Sequence, residues 1–214
     1  MKTKLIVAVF LIISVNLFAQ SEYEKAVEKN LELFGNAKSL EDMKSVANNF
    51  ERIATAETDK WIPRYYASLI NVILSFKTQD VAQKQQYLDY AQQQLDEAME
   101  IDDKESELHA LQGMLYQAYI TLDPMNNGQL YSGKANTSFG MAKKLNPENP
   151  RPYYLEALSI MYTPEEYGGG KNVAQPMLSH ALELFAEFEP ANNLMPDWGK
   201  EDCEAQLQAC KDGM

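Results

Sequence analysis

Apolar residues return along most of this chain at helical spacing, and four stretches repeat the same face. In residues 91–101, AQQQLDEAMEI, Ala91, Leu95, Ala98 and Ile101 follow one another at spacings of four, three and three. Residues 135–145, ANTSFGMAKKL, place Ala135, Phe139, Ala142 and Leu145 the same way, and residues 174–182 place Ala174, Leu178 and Ala181. A weaker copy has Val46, Phe50 and Ile53. Such spacing lays one apolar stripe along one side of an α-helix. No convincing strand-type alternation occurs, so the pattern predicts an all-α fold built from an internal repeat.

A second pattern interleaves with the first. Fifteen residues after Ile53, Ala98 and Ala142 stand Ser68, Gly113 and Ala157, each a small residue inside an apolar segment. The constant offset means that one helix leads through a fixed turn into the next. Glycine inside a helix costs about 1 kcal/mol against alanine, so Gly113 marks a place where another helix comes close. Turn chemistry agrees: Pro147 follows one segment, Pro150 and Pro152 open the next, and Pro63 opens the equivalent earlier one. Proline sits comfortably in a first helical turn, where its missing N–H is not needed.

These residues resemble the tetratricopeptide repeat (TPR) family. Ala135, Phe139, Ala142 and Pro147 match the second-helix signature of that family, and Gly113 and Tyr116 match the glycine and tyrosine of its first helix. The aromatic that opens the family's first helix is replaced by Arg64 and His109, and only Tyr153 keeps that character. Residues 167–173, YGGGKNV, are also similar to the related Sel1-type repeat. The resemblance, over roughly residues 40 to 187, implies an α-solenoid of about four antiparallel helix pairs with a capping helix. It also implies a concave inner face that holds a peptide or partner protein. The matching positions are Tyr65, Leu69, Val72, Ala110, Met114, Gln117, Tyr154, Leu158 and Met161. The opposite expectation is that a short array folds its capping elements over this face and buries it.

Repeat length departs from the family's 34 residues: Ala91 to Ala135 is 44 and Ala135 to Ala174 is 39. The excess falls between the two helices of a pair, which predicts long connections around residues 77–84, 121–134 and 163–172 on one edge. Tyr131, Tyr167 and the glycines Gly168, Gly169 and Gly170 are the candidate edge-loop residues.

The ends of the chain change the picture. Lys2 and Lys4 precede an apolar run from Leu5 to Phe18, closed by Ala19. That is too short for a membrane span and has the form of a secretory signal peptide over residues 1–19. The repeat domain is expected over 20–190, and a loop with a capping helix over 191–214, with Asp197 as its N-cap. No cysteine lies near the cut, so the expected location is periplasmic or secreted, without a lipid anchor and without membrane insertion after cleavage.

Loss of Lys2 and Lys4 would move the net charge from -12 to -14, which disfavours nucleic acid as a partner because phosphates would be repelled. Cys203 and Cys210 are the chain's two cysteines. On one helix they would stand about 10.5 Å apart along the axis, against roughly 4.4 to 6.8 Å between the Cα atoms of a disulfide. They read as packing residues, with an intermolecular bridge as the alternative.

Candidate chemistry is sparse. The stretch 163–172, TPEEYGGGKN, lacks the glycine and the Ser or Thr of a phosphate loop, since Glu165 and Asn172 stand in those places. It reads instead as a capped turn: Thr163 as N-cap, Pro164 first and Glu166 third, with Gly168 ending the turn and Pro176 limiting how early the next helix begins. His109 and His180 fall in no metal-type spacing. The sequon at Asn136 lies inside a repeat helix. No nucleophile–base set and no acid–base pair stands out, so neither catalysis, a cofactor nor a metal is expected. The sequence reading is an exported protein-interaction scaffold. The alternative is a small-molecule or glycan-binding accessory protein that uses the edge loops and their tyrosines.

Overall fold

The computed structural model describes residues 22–212; the expected signal peptide lies outside them. Among the described residues there are nine α-helices, one 3-10 turn and no strand. Helix α1 covers residues 22–35. It is followed by α2 (Leu40–Ala56), α3 (Trp61–Lys77), α4 (Val81–Ile101), α5 (Ser106–Ile120), α6 (Pro124–Leu145), α7 (Arg151–Tyr162), α8 (Lys171–Glu187) and α9 (Lys200–Asp212). From α2 onward each helix packs on the next, and α5 touches both α3 and α7. This is the expected all-α solenoid: four consecutive pairs closed by a last helix.

The repeated stripes are the core. Ala91, Leu95, Ala98, Ala135, Phe139, Ala142, Ala174, Leu178 and Ala181 are all fully buried, as is Phe50 of the weaker copy. The column of small residues is where paired helices meet. A Cβ on Gly113 would stand 2.1 Å from the Phe139 ring, so only a hydrogen fits between α5 and α6. Ser68 uses its small size differently, donating its hydroxyl to the Ala91 carbonyl at 2.9 Å. The buried residues form two clusters, one over α1–α5 and one over α6–α9, and Met114 and Trp198 pack against both.

The long connections are shorter than their sequence suggests. Asp80 and Asp123 cap α4 and α6 by accepting from the N–H groups of Gln83 and Asn126. The first two turns are therefore only residues 78–80 and 121–123. The extra length is helix: α6 has 22 residues against 15 in α5, roughly 10 Å more at 1.5 Å per residue. Tyr131 accordingly belongs to α6. Weak helix formers such as Asn126, Asn127 and Gly128 disguised that segment. Tertiary contacts hold it, with Asn127 donating to the Tyr119 carbonyl and Tyr131 stacked on Tyr119 at 5.1 Å.

The third connection keeps its turn but not its expected cap. Thr163 ends α7 and donates back to the Ser159 carbonyl, while Pro164 precedes the 3-10 turn Glu165–Tyr167. Gly168 ends that turn at φ 81°, as the sequence predicts, and Gly170 opens α8 at φ 98°. A Cβ on Gly169 would stand 2.2 Å from the Thr163 carbonyl oxygen. Helix α8 already runs from Lys171, so Pro176 is interior rather than limiting. The cap of α9 also differs from expectation. Gly199, at φ 105° and packed on Phe185 and Tyr154, accepts from the Cys203 N–H, and Asp197 stands outside the helix.

Candidate functional site

The nine inner-face positions fall into two groups. Tyr65, Leu69, Val72, Ala110 and Tyr154 are buried and cannot present a groove; they are core. Met114, Gln117, Leu158 and Met161 are half-buried. The division has a physical cause. After α8 the chain does not run out to solvent but returns as a strap, residues 188–199, across the N-terminal ends of α3 and α7 toward α1.

The strap is fastened along its length. Leu194 is buried in the first core cluster, and its carbonyl accepts from the Tyr66 hydroxyl at 3.2 Å. Trp198 donates its indole N–H to the Tyr65 hydroxyl at 2.8 Å. Asn193 donates to Glu28 of α1. At the centre Arg151 is fully buried: it donates to Glu107 at 2.9 Å and to the Pro196 carbonyl at 2.5 Å. Its guanidinium lies 5.1 Å from the Phe188 ring and 5.3 Å from that of Trp198. Burial pushes the Glu107 carboxyl up, and the guanidinium of Arg151 offsets this only in part. Asn149 completes the set by donating to the Ser106 hydroxyl, which itself donates to the Ala142 carbonyl.

The other half of the inner face is open. Phe76 continues the α3 stripe four residues beyond Val72 and is 42% exposed. Tyr162, four residues beyond Leu158 at the end of α7, is 71% exposed. Half-buried Ile73, Met114 and Leu158 continue the apolar floor on α3, α5 and α7, while Met161 turns its sulfur to Cys210 of α9 at 3.9 Å. Gln117 spans that floor, donating to the Leu155 carbonyl and the Ser159 hydroxyl of α7. Further exposed apolar side chains stand along the same edge, among them Val81, Met125, Leu130 and Tyr167. Lys77 and Lys84 stand on its α3–α5 side, Lys84 donating to Thr121 at 3.2 Å, while Glu165 and Glu166 stand beyond α7. Asp80 and Asp123, the caps of α4 and α6, stand in the same turns as these lysines, so the edge is apolar in the middle and mixed in charge at that end.

The remaining candidates lie elsewhere. His109 is bonded to the Asp103 carbonyl near the start of α5, and His180 pairs with Glu183 and meets Tyr153 edge-on on α8. Cys203 and Cys210 are free and buried, and burial pushes the Cys203 thiol up to about 12. No group of three or more His, Cys, Asp or Glu among the described residues could hold a metal ion. No described helix is long and apolar enough to cross a membrane.

Sequence reasoning missed the Arg151–Glu107 pair, because a charged residue in a helical repeat ordinarily reads as solvated surface. The available signal was Arg151 set between Pro150 and Pro152, where the backbone direction is fixed. Phe76 was legible by extending the stripe one more turn.

Taken as a class, the fold is a TPR-like α-solenoid whose inner face is half strapped and half open. No family model and no curated protein sequence matches the chain. Among solved structures it is similar to the HusA haemophore from Porphyromonas gingivalis, at 26% identity and a TM-score of 0.79, over 89% of this chain and 94% of that one. It is also similar in fold to a thermophilic TPR protein from Thermus thermophilus, at 16% identity and a TM-score of 0.55, over 93% and 95% of the two chains.

Proposed function

We propose that the protein is an exported carrier that takes up a planar, amphipathic tetrapyrrole of the haem type on the open half of its inner face. The observation that carries this reading is the likeness to a haemophore over about nine-tenths of both chains. The surface is suited to such cargo. Phe76, Met114, Leu158 and Tyr162 offer apolar and aromatic area for a flat ring, and Lys77 and Lys84 offer cations to carboxylates at one edge of it. The reading stands ahead of the peptide groove because Tyr65, Leu69, Val72, Ala110 and Tyr154 are buried and offer a peptide no surface.

The test is titration of haemin into the chain lacking residues 1–19, followed by absorption and tryptophan fluorescence. A saturable shift of the porphyrin band at one equivalent is expected; an unchanged spectrum overturns the reading. The TPR-like fold favours a second reading, in which the same apolar edge docks a partner protein. A partner captured there should be displaced by haemin if the two share the surface.

A further inference from the structure

Exposed apolar side chains gather at one end of the helical stack. Ten large ones stand exposed among the described residues, and nine of them lie where the first helix of a pair stops and the second begins. Leu33 and Leu40 flank the first of these turns, Phe76 and Val81 the second, and Met125 and Leu130 follow the third. Tyr162, Tyr167 and Val173 surround the fourth, and only Met141 sits elsewhere, on the far half of α6. The connections 57–60, 102–105 and 146–150 at the other end expose no large apolar side chain. There Glu57, Asp59, Asp102, Asp103, Glu105 and Glu148 outnumber Lys60 and Lys104. Single exposed apolar residues need no explanation, but a gathered set marks an interaction surface.

The set projects rather than recedes. Gly113 of α5 faces Phe139 of α6, so in this antiparallel pair Ile120 is level with about residue 132. Helix α6 begins at Pro124, and its first turns therefore stand roughly 12 Å past the end of α5, at 1.5 Å per residue. Met125, 96% exposed, is at the tip of that spur, and Leu130 is on its flank. Tyr167 at 77% and Val81 at 61% project from the neighbouring turns. The charges among them have both signs. Asp80 and Asp123 spend their carboxylates on the caps of α4 and α6, and Lys38, Lys77 and Lys84 stand in or beside the turns that Glu165 and Glu166 continue.

We propose that this end of the stack is a lipid-docking edge, by which the protein rests on the interface of a zwitterionic bilayer. A partner protein would need a socket for each projecting group at the spacing of the helix pairs. Lipid headgroups and acyl chains flow around such groups and need none. Tyr162 and Tyr167 are of the aromatic type that settles at headgroup level. Lysines lay their stems along apolar surface and keep the ammonium in the polar layer. Both signs of charge at the edge match a headgroup that carries both, while the acidic far end is repelled by lipid phosphates and turned outward. The contact is peripheral, since no described helix is long and apolar enough to cross a membrane. The inference does not depend on the tetrapyrrole reading. Phe76 and Tyr162 belong to both surfaces, so docking would set the open half of the inner face at the bilayer.

The test is co-flotation of the chain lacking residues 1–19 with phosphatidylcholine vesicles, without haemin. Saturable, reversible binding is expected, and it should persist in about 0.5 M salt, which screens charge but not apolar burial. Met125→Ser and Tyr167→Ser should each weaken it about threefold or more, and adding Val81→Ser to the pair should abolish it. These three side chains are more than half exposed, so the variants should fold and melt as the parent does. Met141→Ser, exposed but off the edge, should bind vesicles unchanged. The inference is overturned by absence of binding, by binding that needs anionic lipid and is lost in salt, or by binding that the edge variants leave intact. Self-association without lipid, seen in sedimentation and abolished by the same variants, would give the edge to a second copy of the chain and overturn it too.

Discussion

Trp198 and Tyr65 are joined by a 2.8 Å hydrogen bond across 133 positions of sequence, and the bond ties the strap to the third helix. Tyr65 is fully buried, so its hydroxyl has no water to turn to if the indole is removed. Trp198→Phe keeps an aromatic ring beside Arg151 but drops the donor, and should cost about 1–3 kcal/mol. Trp198→Ala loses the packing as well and should cost more, at about 3 kcal/mol or above. Urea unfolding of the two variants separates the terms.

Gly113 should tolerate nothing larger while Phe139 is present. Alanine would gain about 1 kcal/mol of helix propensity, but its methyl would stand 2.1 Å from the Phe139 ring. Gly113→Ala is expected to destabilise by roughly 1–3 kcal/mol, and Phe139→Leu in the same chain should recover part of that loss. A double-mutant cycle in thermal melts measures the coupling, and strict additivity would contradict it.

Arg151 and Glu107 should behave as a unit. Removing one charge leaves the other buried and unmatched, so Arg151→Met and Glu107→Leu should each cost about 3–5 kcal/mol. The double substitution should be milder than the sum of the two, because no lone charge remains. Denaturant midpoints of the three variants read this directly.

Asp42 supplies a pH dependence of known sign. Its carboxyl is held below its ordinary value by the bond from the Ser39 hydroxyl, together with backbone N–H groups of Ser39 and Lys38. A carboxyl lowered on folding contributes stability that is present above its unfolded value and lost as pH falls through its folded value. Ser39→Ala should move the Asp42 titration upward toward the ordinary range, followed by carboxyl-carbon NMR. An unmoved titration would mean that the cap does not set it.

On the open half, Phe76→Ser should weaken haemin binding about tenfold or more, since burying a phenylalanine is worth about 1.5–3 kcal/mol. Phe76 is 42% exposed, so the melting temperature should barely move. Lys77→Glu should weaken binding in a salt-dependent way. Unchanged affinity in both would remove the cargo from this edge.

Much of the architecture was legible because the helical stripes and the Ser68–Gly113–Ala157 column depend only on local spacing and residue size. What stayed hidden depends on long-range pairing. Asn126 to Gly128 have poor helix propensity, and the Asp123 cap and the contacts with Tyr119 hold that segment helical. The sequence leaves open whether the inner face is groove or core because residues 188–199 carry no periodicity, so nothing in their pattern says where they lie. Arg151 looked like any surface arginine until its partners from α5 and the strap were in place. The grouping of Lys77, Lys84, Asp80 and Asp123 at one end and Glu165 and Glu166 at the other likewise exists only once three turns share an edge.

The strap also fixes how many repeats this protein can have. An open solenoid lengthens by inserting one more helix pair, since each unit touches only its neighbours. Here residues 188–193 must reach from the end of α8 out to Glu28 of α1, and residues 194–199 must return to α9, which packs on α8. Fully extended, each half spans about 20 Å, and every helix inserted into the stack adds roughly 8–10 Å. A duplicated repeat would leave Leu194 and Trp198 short of their sockets, so this lineage can vary its turns and its rim but not its copy number.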